Sequence, residues 1–590
     1  MNLTWDLETL YPCFESEKFK GDQELLRQYI TELNEWAGVN LHDHERAAAK
    51  MEDFLRRYNA FRSVYTCLYS YADLILNADS SSTEAMSVLD DIVDTSSAAT
   101  DAFVKFNKWL KGLDRLDTII DTSPYLSEHR FYLRELLDQS KFLLSEEIEI
   151  IITKMQNTGS KAWQRFYMQC ASNVLTNLDV EGESRSVSLS ELRNMAYDRN
   201  PSLRKAAYEA EAEGCKSIAE QSAASINGIS GEAITVYGMR GYQSPLEKVL
   251  AASRMDAQTL QAMQSAIQEN LPIFHKYYEK KAMLLGHTTT SLPFYDIFAP
   301  IGEGNVTVSY SEARDCIVSS FRTFSDALAD FAQKVFDNRW IDAEPRAGKG
   351  NYGMCIDIFP IQESRILTNF TGSYIDISVL AHEIGHAYHS SCLVNETMVN
   401  TDYPTPIAET ASIFCESIVN NELLRIAPTG EAVSILERGI SDAGYYIVDF
   451  YGRYLFENKL YERRQSGALS VEELNELMLA CMTEVYGEGI DPATIHPYMW
   501  LNKMGYFLAG NEYLNFPYSF GLLFSKGLYA QYKKRGQDFV AQYHAFLSAT
   551  SKNNIVDAAK IMGIDVHSSQ FWKDALQLIE EEIEEFISRV

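Results

Sequence analysis

Two histidines and a glutamate have the spacing of a metal site in the run AHEIGHAYHS, which begins at Ala381. His382 and His386 are four residues apart, so on a helix their side chains lie above one another on the same face. Two imidazole nitrogens at this spacing can bind a tetrahedral zinc ion, and Glu383 can reach a water molecule that the ion activates. The pattern predicts a zinc-dependent hydrolase in which Glu383 is the general base.

A catalytic zinc ion needs a third protein ligand and an open position. A metzincin arrangement is excluded, because His389 stands where that class has a glycine and Cys392 where it has its third histidine. Glu396 lies in a loop-like segment, whereas Glu409 lies at the start of the helical run AETASIFCE and is the predicted ligand. Glu416, about two turns later, either hydrogen-bonds a ligating imidazole or is an ordinary surface carboxylate.

The elements that must position these residues are mostly helices. Apolar residues recur at three- and four-residue steps between Asp256 and Leu285, and the first 170 residues follow the same pattern. The motif itself is predicted to lie on a helix from Ile375 to Ser390, where Gly385 permits another backbone to approach closely. The sequence therefore predicts a mainly α fold.

Two stretches have the alternating pattern of short β-hairpins. One lies between Val174 and Leu189, around a turn that includes Glu181, and the other runs from Cys355 to Phe370, directly before the motif helix. We expect a boundary near the first hairpin, with an N-terminal helical lobe in residues 1–185 and the metal-dependent catalytic region in residues 186–590. The second hairpin predicts a small β-sheet next to the motif helix.

The composition limits the partners and the compartment. Asp and Glu number 82 against 52 Lys and Arg, a net charge of −30 that repels phosphate backbones and anionic lipids, so nucleic acid and membranes are not expected as partners. The nine cysteines lie far apart and are expected to be reduced. Without a visible secretory signal or membrane span, the expected location is the cytoplasm. The sequence does not give the oligomeric state.

Taken together, these motifs resemble the thimet oligopeptidase and oligoendopeptidase F family of zinc metallopeptidases, and its oligoendopeptidase F branch most of all. The resemblance covers most of residues 190–590. Besides AHEIGHAYHS and AETASIFCE, it is carried by ILTNFTGSYIDISVL (366–380), LPFYDIFAP (292–300), PRAGKGNYG (345–353) and NFPYSFGLLFSKGLYAQY (515–532).

The resemblance implies a mainly helical fold with a deep substrate channel between two lobes and one zinc ion per chain. It implies an endopeptidase that cuts internal bonds of short peptides, with His382, His386 and Glu409 as zinc ligands and Glu383 as the general base. It also implies that the strand near residues 366–369 holds the extended substrate by backbone pairing. An edge strand that serves only the fold is the alternative for that segment.

The chain departs from the family pattern late in the sequence, where a histidine and tyrosines stabilise the oxyanion formed during attack. Tyr518 matches the last expected tyrosine, but Gly505 stands in place of the histidine and Leu514 in place of another tyrosine. Tyr506 is the candidate substitute. Two alternatives stay open: a peptide-binding homologue with little or no catalytic activity, and a zinc aminopeptidase, for which no motif that anchors a free amino terminus is visible.

Overall fold

A computed structural model describes residues 3–180, 182–302 and 307–590 of the chain. Helices account for 72% of the residues and strands for 4%, so the predicted mainly α fold is confirmed. Among the described residues, every helix is either too short or too polar to span a lipid bilayer. Glu181, in the predicted turn of the first hairpin, lies outside the described residues.

The five strands of the described chain form two small sheets. The strands are β1 (Leu175–Val180), β2 (Glu183–Ser188), β3 (Ile341–Asp342), β4 (Met354–Ile358) and β5 (Glu363–Leu367). Strands β1 and β2 are an antiparallel hairpin, as the alternating pattern predicts. The second sheet has the order β3-β5-β4, with β5 parallel to β3 and antiparallel to β4. The second predicted hairpin is therefore confirmed and gains a third strand.

The α-helices of the described chain are 5 to 32 residues long. Before the first sheet they are α1 (Glu17–Asn40), α2 (Ala47–Ala78), α3 (Thr83–Ser97), α4 (Thr100–Lys111), α5 (Leu116–Ile120), α6 (Pro124–Glu128), α7 (Arg130–Ser140), α8 (Glu146–Thr158) and α9 (Ser160–Ser172). Between the sheets they are α10 (Leu189–Asn194), α11 (Pro201–Ser217), α12 (Ala219–Arg240), α13 (Pro245–Ala252), α14 (Ala257–Leu284), α15 (Tyr310–Phe324) and α16 (Asp326–Asp337). After the second sheet they are α17 (Tyr374–Ser391), α18 (Thr405–Ile426), α19 (Thr429–Gly444), α20 (Phe450–Arg464), α21 (Val471–Tyr486), α22 (Phe516–Arg535), α23 (Gln537–Ala549), α24 (Ile555–Ile561) and α25 (Ser569–Arg589).

The backbone contacts divide the chain into two compact units, each built from three segments. The first unit comprises Met1–Leu143, Val306–Leu423 and Tyr532–Gly563, and the second comprises Leu144–Asn305, Leu424–Gln531 and Ile564–Val590. None of these divisions falls at the boundary predicted between residues 185 and 186. That boundary marks the start of the catalytic region, and it stays a prediction. The substrate channel also stays a prediction.

The first unit has a continuous apolar core that joins its N-terminal helices to the second sheet. Buried side chains of α1 to α7 pack in one cluster with Ile358 of β4 and Leu367 of β5. Because β4 and β5 also contact α17, this core gives the motif helix a fixed support. The predicted small sheet next to that helix is confirmed.

The start of α17 is fixed by a reciprocal capping box. The Ser373 hydroxyl accepts a hydrogen bond from the backbone N–H of Asp376 at 3.1 Å, and the Asp376 carboxylate accepts one from the N–H of Ser373 at 3.0 Å. The same carboxylate oxygen also accepts from the N–H groups of Thr371 and Gly372. These bonds satisfy backbone donors that a helix start leaves unpaired, so they set the residue at which α17 begins.

Candidate metal centre

The two motif histidines lie on one face of α17, and the predicted third ligand comes from α18. Nε2 of His382 and Nε2 of His386 are 3.3 Å and 3.5 Å from the same carboxylate oxygen of Glu409. The three possible ligand atoms all lie within 4.8 Å of one another. Two nitrogens and one carboxylate oxygen at these separations are a donor set that suits a tetrahedral zinc ion with one open position.

A glycine allows the two ligand-bearing helices to lie this close. A Cβ atom at Gly385 would lie 2.6 Å from both the carbonyl oxygen of Ala411 and Cα of Ser412 in α18. Any side chain there would push against backbone rather than against a flexible group. The backbone approach predicted for Gly385 is therefore present, and it brings Glu409 to the histidines.

Neighbouring polar groups orient the possible ligands. Oε2 of Glu416 is 3.4 Å from Nδ1 of His382, and the other carboxylate oxygen of Glu416 accepts a hydrogen bond from Ser378. The Ser412 hydroxyl donates to Glu409 at 3.0 Å. Such outer hydrogen bonds fix the tautomer and the ring orientation of a histidine ligand.

The ionisation of the donor groups also suits a cation. Burial lowers the pKa of His386 to about 4, so this imidazole is neutral at pH 7. Although burial alone would raise it, the two imidazoles lower the pKa of Glu409 to about 2. For His382, hydrogen bonds to Glu409 and Glu416 outweigh burial and raise the pKa, so a cation that binds there displaces a proton.

Glu383 differs from these groups, because one oxygen of its buried carboxylate has no hydrogen-bond partner among the described residues. The residue is 5% exposed, and its Oε2 has no hydrogen-bond partner among the described residues. Burial raises its pKa to about 7. A buried carboxylate of this kind can exchange a proton near neutral pH, as a general base must.

Sequence reasoning did not find the glycine that faces this carboxylate. A Cβ atom at Gly353 would collide with Oε1 of Glu383, so the residue just before β4 must be glycine for the carboxylate to keep its place. Gly353 is the last residue of PRAGKGNYG, whose spacing alone shows no reason for a glycine there.

The other residues weighed as ligands lie in different environments. Glu396 forms an ion pair with Lys552, and Nε2 of His389 is 2.8 Å from the Thr550 hydroxyl. Among the residues that the structure describes, His382, His386 and Glu409 are the one group of histidine, cysteine or acidic side chains with the mutual distances of a metal site.

The substrate-pairing role expected for residues 366–369 is contradicted by the sheet order at Ile366 and Leu367. β5 lies between β3 and β4, and Ile366 and Leu367 have partners in both of these strands. The backbone N–H of Thr368 donates to Asp342 as well. The backbone of Ile366 and Leu367 cannot also pair with a peptide, whereas the outer edge of β4 has no strand partner within the described part of the chain.

The two tyrosines predicted to stabilise the oxyanion belong to the second unit. Tyr518 is half-buried and lines a cavity of about 630 Å³, together with Gly505 and Leu514. Tyr506 is 6% exposed, packs against Phe456 and does not line that cavity, and its hydroxyl has no described hydrogen-bond partner. Their part in catalysis stays a prediction.

Comparison with known proteins places this site in a family. A model of "Peptidase family M3" matches residues 194–578, and a model of "Oligopeptidase F" matches residues 112–174. The fold and the site are those of a metallopeptidase, and the chain belongs to peptidase family M3. The resemblance to oligoendopeptidase F is thereby confirmed, and the substrates of the chain are peptides.

Relatives along the whole chain agree with this assignment. Oligopeptidase PepF of Bacillus subtilis is 21% identical over 99% of this chain and 86% of its own length. An oligoendopeptidase F homolog of Lactococcus lactis is 22% identical over 99% of this chain and 96% of its own.

Solved structures share the fold. A putative peptidase from Chlamydophila abortus superposes with a TM-score of 0.85 at 20% identity, covering 100% of this chain and 98% of its own. Oligoendopeptidase-F from Enterococcus faecium gives a TM-score of 0.71 at 17% identity, covering 96% and 99%.

Proposed function

We propose that this chain is a zinc-dependent endopeptidase that hydrolyses internal bonds of short oligopeptides. The observation that carries the proposal is the buried Glu383 carboxylate, unpaired at Oε2, which directly follows a ligand of the compact His382, His386 and Glu409 cluster. Burying a carboxylate oxygen without a hydrogen-bond partner costs free energy, and a catalytic role explains why such a group is kept.

His382, His386 and Glu409 would hold one zinc ion. When bound, zinc supplies Lewis-acid chemistry, which polarises a peptide carbonyl and lowers the pKa of a water molecule to near 7. Glu416 holds the His382 ring through Nδ1, and the Ser412 hydroxyl holds the Glu409 carboxylate. Both contacts limit the rotation of ligand side chains, so the cluster is organised before it binds a cation.

Glu383 moves the proton. Its unpaired Oε2 takes a proton from the attacking water, and the same oxygen then donates that proton to the leaving amine. The buried position keeps the carboxylate away from bulk water between the two transfers. Gly353 leaves room for the carboxylate of Glu383. Glu383 follows His382 directly in α17, so the helix holds the carboxylate close to this ligand.

The peptide is proposed to bind along β4. Its free edge offers backbone donors and acceptors that an extended peptide can pair with, and it begins directly after Gly353, which faces Glu383. Backbone pairing along the middle of a peptide needs no free terminus, which favours an endopeptidase over an aminopeptidase. Tyr518 and Tyr506 are the proposed oxyanion donors.

Exchange of Glu383 for glutamine tests the proposal. Glu383→Gln keeps the size of the side chain and removes the proton acceptor, so we expect turnover of a quenched fluorescent peptide to fall by roughly 100- to 10,000-fold with zinc content unchanged. Glu15→Gln, on the surface of the same unit, is the control and should keep the wild-type rate. Wild-type turnover by Glu383→Gln would refute the role of this residue.

The departure at Gly505 supports a second candidate, a homologue that binds peptides without cutting them. Mass spectrometry of one peptide library, prepared with free and with blocked N-termini and incubated with the zinc-loaded protein, separates the candidates. Internal cleavage supports the endopeptidase, intact but retained peptides support the binding protein, and cleavage that requires a free amino terminus supports the aminopeptidase.

A further inference from the structure

The cavity of the second unit is large enough for several residues of a peptide, and the catalytic proposal uses only its Tyr518. Its volume is about 630 Å³. Tyrosine and phenylalanine side chains form much of the wall, including Tyr445, Tyr446 and Phe450, and polar side chains stand between them. Pockets of this size and mixed lining commonly bind ligands.

Three of the four basic side chains in the wall have a carboxylate of their own. Nε of Arg193 donates to Glu211 at 2.6 Å, and Nε of Arg204 donates to Asp296 at 2.8 Å. Arg453 forms a close ion pair with Asp449. These three pairs are neutral overall, so they add no net charge to the cavity.

Lys503 is the fourth basic residue, and it has no carboxylate of its own. The nearest described carboxylate oxygen is on Asp449 at 3.8 Å, and that residue already pairs with Arg453. The ammonium group forms no hydrogen bond to the described residues, although its side chain is only 14% exposed. Burial lowers the pKa of Lys503 to about 8, so the group is still mostly charged at pH 7.

His496 lines the same cavity, and its ring nitrogens lack hydrogen-bond partners among the described residues. The residue is 7% exposed, and neither ring nitrogen has a hydrogen-bond partner within the described chain. Burial lowers its pKa to about 4, so the ring is neutral at pH 7 and has one N–H to donate. A buried imidazole with both nitrogens unpaired is costly, and a bound ligand would remove that cost.

We propose that this cavity binds a carboxylate group of the peptide substrate, with Lys503 as the opposite charge and His496 as a hydrogen-bond donor. One unmatched cation fits one monoanionic carboxylate, in a chain whose net charge of −30 otherwise repels anions. The carboxylate is either the C-terminal group of the peptide or an Asp or Glu side chain. The inference rests on the proposed peptidase function for its substrate.

Two pairs of fluorogenic peptides distinguish the sources. The first pair has one sequence with a free C-terminal carboxylate or a C-terminal amide, and the second pair has Glu or Gln at one internal position and an amide at the end. We expect the wild-type protein to favour the charged member of one pair in kcat/KM on the order of tenfold, as a charge-assisted hydrogen bond predicts.

Three variants locate the preference. Lys503→Met removes the charge with little change in side-chain length and should reduce the preference to parity, while Lys503→Arg should restore much of it. Lys216→Met is the matched control, because Lys216 in the same unit also has one carboxylate at 3.9 Å but lies outside the cavity. It should keep the full preference. Equal folding of the variants is checked by circular dichroism.

Binding to Glu383→Gln separates this inference from the catalytic proposal. Dissociation constants of the same peptides for that variant do not depend on turnover, so a charge preference there, lost in Lys503→Met with Glu383→Gln, supports the carboxylate site even if no peptide is cut. Equal affinity for both members of both pairs overturns the site. A preference that survives Lys503→Met overturns its assignment to this cavity.

Discussion

Glu416 lies behind the metal cluster and contacts His382 on the side away from Glu409. If Glu416 orients a zinc ligand, Glu416→Gln should weaken zinc binding by roughly 10- to 100-fold, the usual cost of removing an outer hydrogen bond. Glu409→Ala removes a ligand and should weaken binding further. Competition with a zinc-chelating dye measures both dissociation constants.

Glu396→Ala is the control for these variants, because Glu396 is paired with Lys552 and lies outside the cluster. Its zinc affinity should stay near that of the wild type. Loss of zinc in Glu396→Ala with retention in Glu409→Ala would move the third ligand to residue 396.

The two tyrosines allow a separate prediction about the oxyanion. Tyr518→Phe should lower kcat more than Tyr506→Phe, because Tyr518 lines the cavity and the buried Tyr506 does not. Loss of one oxyanion donor lowers kcat by roughly 100- to 1,000-fold. Pre-steady-state rates with a saturating peptide measure this step. An effect confined to KM in both variants would rule out the oxyanion role.

Among single residues, the sequence predicts the site best where the relevant distances are set within one helix. The spacing of His382 and His386 fixes a shared helix face without any knowledge of the rest of the fold, and the helical context of Glu409 separated it from Glu396. The contact of Gly353 with Glu383 joins residues of different elements. No spacing rule covers such a contact, so it could not be predicted.

Between elements, the close approach of α17 and α18 depends on Gly385. Gly385→Ala should cost about 1–3 kcal/mol in the free energy of unfolding and weaken zinc binding, because the added methyl group meets backbone atoms of α18. Urea titration and the zinc dissociation constant measure the two effects.

Gly21→Ala is the matched control, since Gly21 lies in α1 of the same unit and a Cβ atom there meets nothing within 4 Å. Alanine favours a helix over glycine, so this variant should be slightly more stable than the wild type. A Gly385→Ala protein with unchanged stability and zinc affinity would show that the helices can separate without loss.

The sequence predicted single elements better than their partners. α14 begins after Asp256, whose carboxylate accepts from the N–H of Thr259, close to the predicted start of that helix. The sheet order was missed because β3 has only two residues, Ile341 and Asp342, too few for a recognisable alternation. The resemblance places substrate pairing near residues 366–369, but Ile366 and Leu367 already have partners in β3 and β4.

For the molecule as a whole, zinc binding should stabilise the folded state of the first unit, because all three residues of the metal cluster lie in that unit. A ligand that binds only the folded state stabilises it by about 2.7 kcal/mol when its free concentration is a hundredfold above Kd. We therefore expect zinc to raise the unfolding temperature and a chelator to lower it, as measured by calorimetry. Glu409→Ala should show no zinc dependence at the same concentration.

The threefold segmentation of each unit has a consequence during synthesis. The first unit needs Tyr532–Gly563 and the second needs Ile564–Val590, so neither has all its segments until the ribosome has nearly reached Val590. Apolar faces of the earlier helices then stay uncovered while the later segments are made, a state in which chains aggregate. Nascent chains stalled before Tyr532 should accordingly recruit chaperones and resist proteases poorly, although they already contain every residue of the metal cluster.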